Sequence, residues 1–247
     1  MVSSNSDFAP ASAGHGRYAP FPVPSGSSVV RVPAGTSQQR VFVFPDMCPD
    51  DVPAALVLEQ EAQADLVFVV LPGSSARIPL TVDLAGPEAQ VRLRGLFLSD
   101  EEDEVRITVT VHHRHPHCQS RQLFNGILSG KARGTFHGTV IVAPDAQGTE
   151  AYQENHNIIL GEAARMETQP VLEIYADDMK CSHGATVGAL DENEHFYMRS
   201  RGIPEAEARV LQILSFLSPV LDAIPDEEQR AALTARVEEA ALRCTGL

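Results

Sequence analysis

The chain has 247 residues, 43% hydrophobic and 21% charged, enough apolar material for one large domain or two small ones around a true core. Asp plus Glu number 33 against 19 Lys plus Arg, a formal charge of −14, so neither nucleic acid nor an anionic membrane surface suits it as main partner. No apolar run reaches the ~18 residues of a membrane span, and the N-terminal MVSSNSDFAPASAGHG does not read as a secretory signal.

In chain order, residues 1–54 are a Pro-, Ser- and Gly-rich extension. The stretch 1–28 cannot bury enough apolar surface to offset its ordering entropy, so it is expected to be mobile or to lie across a neighbour. The first strand is predicted at 41–44, closed by Pro45. From 55 to 190 short apolar runs recur between polar or Gly-containing turns, from LVLE and DLVFVVL to AYQENHNIIL and VLEIYA. Several have period two: Val105, Ile107, Val109 and Val111 alternate with Arg106, Thr108, Thr110 and His112. Such regular short strands suit a sandwich, a barrel or a β-solenoid. Scarce hairpin punctuation, even strand lengths and closely spaced corner residues (Gly130, Gly134, Gly138, Pro144, Gly148) favour the solenoid; periodicity alone leaves the sandwich open.

From 191 to 247 the pattern turns helical. Asp191 with Glu194 reads as an N-cap pair, Gly202 as a C′ residue and Pro204 as the first residue of the next helix. Val210, Leu211, Leu214, Leu217 and Leu221 form one predicted apolar face, with Pro219 kinking or ending that helix. Pro225 and Asp226 open a third helix, apolar at Leu233, Val237 and Ala241. Helices here could cover the unpaired end of a coil stack.

Two constellations could carry chemistry. His113, His115 and His117 would share one face of an extended strand, and three imidazoles so placed bind zinc or non-haem iron in the manner of a cupin. Pro116 argues instead for an edge or bend with surface histidines. Cys181 and His183 also alternate, with Asp177 and Asp178 nearby as hydrogen-bond partners. A thiol beside an imidazole can act as nucleophile or as ligand for iron or zinc; the alternative is a buried cysteine and a satisfied histidine. A cysteine-protease signature is missing, and 126–138 lacks the order of a phosphate-binding loop. Four scattered cysteines (Cys48, Cys118, Cys181, Cys244) make no disulfide framework and suit a reducing cytoplasm.

The run 173–188, EIYADDMKCSHGATVG, followed by FYMRSRG at 196–202, resembles the SufB/SufD family on its SufD-like side. So do SRQLFNG at 120–126 and GTFHGTVIVAPDAQ at 134–147, with His113, Pro116, His117 and Ser120 at matching spacing. The resemblance implies a right-handed parallel β-helix followed by a small helical region. It implies a scaffold for iron–sulfur cluster assembly in the cytoplasm, and not an enzyme. A SufB-like subunit would pair through the β-helix, and a SufC-like ATPase would dock on the C-terminal helices, here at Leu211, Leu214 and Leu217. A transient iron–sulfur cluster would form between subunits, with none held tightly by the chain alone. His183 matches the family's histidine ligand, and Cys181 is a second contributor. The family is also linked to iron supply and reduced flavin, for which this sequence offers no placeable site. Family members carry a longer N-terminal region than the 54 residues that precede the expected core here, and without a SufB-like partner two copies could pair. Where SufB-like chains carry their cluster cysteine, this chain has QENHNII at 153–159.

Overall fold

The computed structural model describes residues 28–47 and 52–245. The stretch expected to be mobile lies outside them apart from Ser28, and so does Cys48.

The strands are β1 (Val29–Val32), β2 (Ser37–Phe44), β3 (Ala55–Leu58), β4 (Gln63–Val70), β5 (Ala76–Leu84), β6 (Gln90–Ser99), β7 (Glu104–His113), β8 (Gln119–Leu128), β9 (Arg133–Val142), β10 (Thr149–Ile159), β11 (Arg165–Ile174) and β12 (Met179–Gly188). Helices α1 (Glu192–Ser200), α2 (Glu205–Leu221) and α3 (Glu227–Cys244) follow. The odd-numbered strands form one six-stranded sheet and the even-numbered strands another. Neighbours within each sheet are parallel, as in β5–β7–β9 and β6–β8–β10. Each strand therefore pairs with the strand two places on, and the chain alternates between sheets. This is a β-solenoid of stacked coils, not a sandwich of hairpins. It begins earlier than the sequence suggested: β1 and the full length of β2 belong to the sheets, so the coils reach into the Pro- and Ser-rich segment.

Period-two alternation fixes what fills the interior. Val105, Ile107, Val109 and Val111 of β7 are buried while Arg106 and Thr108 are exposed. Inward residues stack in register, so Ile78, Ile107 and Phe136 form one column of the core. Some strands of the even sheet lose the alternation, as in Leu66–Val70, since both faces there are covered. Their outward Val67, Val69, Leu96, Leu98 and Ile127 meet Ile213, Leu217, Val220 and Val237 of the helices. The helices thus lie on the flank of the stack and leave the β12 end uncovered, contrary to the expected end cap. The apolar ends of β4 and β6 offer a surface to bury that the terminal strand lacks.

Local signals hold. Asp191 Oδ1 accepts from Asn193 N and Glu194 N, Asp226 Oδ1 accepts from Gln229 N, and Gly202 ends α1 with φ +89°. Pro204 is the N-cap, one place before the predicted position, and Pro219 sits in the last turn of α2, which ends at Leu221. Of the expected corner residues, Gly130 and Gly148 have left-handed backbone, whereas Gly134 and Gly138 lie inside β9.

Candidate functional site

The polar interior lies toward the uncovered end. Inward positions that are apolar in early coils become Ser120 and Gln122 on β8, and Gln153, Asn155 and Asn157 on β10, all buried. Register aligns Ser120 with Ala151 and Cys181, and Gln122 with Gln153 and His183. Cys181 and His183 therefore carry the inward face of β12, but no further coil covers them. Cys181 is half-buried, packed against a cluster containing Val142 and Ala151, while His183 is exposed and Val187 is 45% exposed.

Burial raises the pKa of the Cys181 thiol above its ordinary value, against a weaker opposing backbone hydrogen bond at Ala151. Burial likewise pushes Cys118 and Cys244 up to about 11. None of these thiols is activated as a nucleophile, and a metal bound by Cys181 would displace the thiol proton into solvent. Among the described residues these three cysteines are free. Asp177 and Asp178 occupy the bend before β12 and are exposed; Asp178 is tied by its backbone, its N–H donating to Gln147 Oε1 at 2.8 Å and its carbonyl accepting from Gly148 N at 2.7 Å. Among the described residues neither carboxylate bonds Cys181 or His183.

The alternative His113, His115 and His117 metal site does not form. Strand β7 ends at His113, and 114–118 is a turn, so the three rings share no face. His113 points inward, with Nε2 2.8 Å from Ser120 Oγ. His117 has φ +59° and belongs to a column of left-handed corner residues, Glu61, Glu88, His117 and Gly148. Each backbone N–H in that column donates to the next coil's corner, as in His117 N to Gln147 O at 2.9 Å. No group of three or more His, Cys, Asp or Glu side chains converges among the described residues.

His113 is 1% exposed, and burial, with a smaller contribution from His112, pushes its pKa from 6.5 down to about 3. The unfolded chain binds its proton at a higher pH than the folded chain does. Stability is therefore full above the unfolded value and falls as pH drops toward the folded one. From pH 7 to pH 5 this residue is expected to remove about 2 kcal/mol. Denaturant midpoints at the two pH values should show a correspondingly smaller loss for His113→Gln; equal losses in both proteins would refute the account.

The predicted ATPase contact splits on the same helix. Leu217 is 0% exposed and Leu214 is partly buried in the cluster under α2, whereas Leu211 is 41% exposed. The expected apolar stripe is displaced because α2 turns Ala208, Val210, Ile213, Leu217 and Val220 inward. Leu211 instead joins Tyr197, Met198 and Ser215 around an open groove of about 570 Å³ between α1 and α2, next to the exposed Phe196. Neither this groove nor the Gln122–Gln153 column was expected from the sequence. The column's one signal was Gln153, Asn155 and Asn157 falling at alternate positions where apolar residues belong.

The model of the family described as SUF system FeS cluster assembly, SufBD core domain, matches residues 53–216. The chain is 36% identical over 182 residues to the iron-sulfur cluster assembly protein SufD of Escherichia coli, covering 74% of this chain and 43% of that protein. It is 31% identical over 190 residues to an iron-sulfur cluster assembly SufBD family protein of Mycobacterium leprae, covering 74% and 48%. It is 30% identical over 158 residues to SufD of Bacillus subtilis, covering 64% and 36%. The chain thus spans less than half the length of each of these relatives. No helix among the described residues is long and apolar enough to cross a membrane.

Proposed function

The chain belongs to the SufBD core family of the SUF system for FeS cluster assembly, and from that premise we propose that it is a SufD-like scaffold subunit without turnover of its own. One observation carries the reading: Cys181 and His183 lie on the inward face of a terminal strand that no other part of the described chain covers. They are soft and borderline donors that suit iron. Two donors do not complete the coordination of a cluster, so the remaining ligands come from the subunit that closes the end. A SufB-like subunit is that partner, its own coil end meeting β11 and β12. The cluster is cargo, assembled between subunits and passed on. ATP chemistry belongs to a SufC-like ATPase seated on the groove of Tyr197, Met198 and Leu211. Free cysteines suit the reducing cytoplasm in which such assembly proceeds.

The test is co-expression with SufB-like and SufC-like proteins, followed by iron and acid-labile sulfide analysis of the purified complex. His183→Ala is expected to lower both severalfold while the chain still folds, because the side chain is exposed. Unchanged iron and sulfide would remove His183 from the site. A chain that enriches neither partner, or elutes only as a pair of its own copies, would end the reading.

A further inference from the structure

The column behind His183 has an unmatched acceptor. Gln153 is 0% exposed, directly in register with His183 on one side and Gln122 on the other. Its Nε2 donates to Gln122 Oε1 at 3.1 Å, while its own Oε1 has no hydrogen-bond partner. The carboxamide reaches across the interior over Gly138, where a Cβ would stand 2.3 Å from Nε2, so only glycine leaves it room. With the nitrogen committed to Gln122 Oε1, the oxygen is left for one of two donors: Gln122 Nε2, itself buried and without a partner, or His183, in register on β12. A buried acceptor left unpaired costs about 1–3 kcal/mol, so a donor within reach is drawn to it. Inward side chains of paired strands start roughly 4.8 Å apart, and the His183 side chain is exposed, so no packing blocks a rotamer that turns an N–H toward that oxygen.

We propose that Gln153 is a positioning residue: its Oε1 accepts the N–H of His183 and so locks the imidazole in one tautomer, with the other ring nitrogen unprotonated and facing the open end as the donor to iron. This rests on the reading of His183 as a ligand. Ligating histidines depend on such a bond through their second nitrogen, which fixes ring orientation and raises donor strength.

Long-range ¹H–¹⁵N correlation spectra of the metal-free chain at pH 8 test it directly. Wild type should show His183 as a single tautomer, and Gln153→Met, similar in volume but without the acceptor, should show the averaged pattern of two exchanging tautomers. In the complex, Gln153→Met should retain about tenfold less iron and sulfide, close to the loss from removing the ring. A tautomer mixture in wild type overturns the proposal without any variant, so a Gln153→Met chain that fails to fold does not protect it. A single tautomer persisting in Gln153→Met also overturns it. The spectra need no cluster: if His183→Ala leaves iron and sulfide untouched while Gln153→Met still averages the tautomers, the ligand reading fails and the hydrogen bond stands.

Discussion

Leu217→Asp is expected to leave no stably folded chain, whereas Leu211→Asp should fold as wild type and lose the ATPase. The two leucines lie on one helix and share one apolar stripe in the sequence, but their surroundings are opposite. Leu217 is enclosed by the cluster that joins α2 and α3 to β4, β6 and β8. Truncating a buried leucine costs about 2–5 kcal/mol, and a carboxylate in its place adds several more for lost solvation. That sum is of the order of the ~5–15 kcal/mol that holds a whole domain folded. Leu211 lines the open groove and loses little on exposure of a charge. Circular dichroism melts paired with ATPase pull-down separate the cases. A Leu217→Asp chain melting within a few degrees of wild type would contradict the packing of α2, and retained ATPase binding by Leu211→Asp would take the groove out of the interface.

Gly86→Ala is expected to lower the melting temperature by about 6–12 °C. A Cβ at Gly86 would stand 2.2 Å from Gln60 N, 2.6 Å from Gln60 Cα and 2.7 Å from the Glu59 carbonyl carbon, backbone atoms of the preceding coil's corner. A flexible side chain could move aside; a stacked corner cannot, since Gly35 N already donates to Gln60 O and Glu61 N to Pro87 O. Overpacking of this kind costs roughly 3 kcal/mol, at the upper end of the usual range, and each kcal/mol shifts a chain of this size by about 2–4 °C. Gly184 is the control: nothing lies within 4 Å of the point a Cβ would occupy there, and Gly184→Ala should stay within about 0.5 kcal/mol of wild type. Scanning calorimetry of the two variants decides it. Equal melting of Gly86→Ala and wild type would mean that the coils do not approach so closely at this corner.

The His113, His115 and His117 triplet shows how a local pattern misleads. Alternation would place all three on one face only if the strand continued, and it stops at His113. His117 is held in left-handed backbone by the corner that stacks on Gln147, a residue distant in sequence. The helical face misled for a similar reason. A period of 3.6 identifies a stripe, but the stripe that is buried depends on which sheet residues wait beneath it, here Leu96, Leu98 and Ile127.

What the sequence by itself determined is what neighbours along the chain decide: short strands from β4 to β10, with clear period two in β7, the caps at Asp191 and Asp226, the turn at Gly202, and the pairing of Cys181 with His183 on one face of a strand. Choice between sandwich and solenoid, and the column Gln122–Gln153–His183, belonged to the tertiary structure. Residues that stack are separated by a whole coil, and coil length changes along the chain: Val57 pairs with Asp83, yet Gln122 with Gln153. Without a constant repeat no periodicity in the sequence can bring those side chains together; only parallel backbone hydrogen bonding between coils fixes their register.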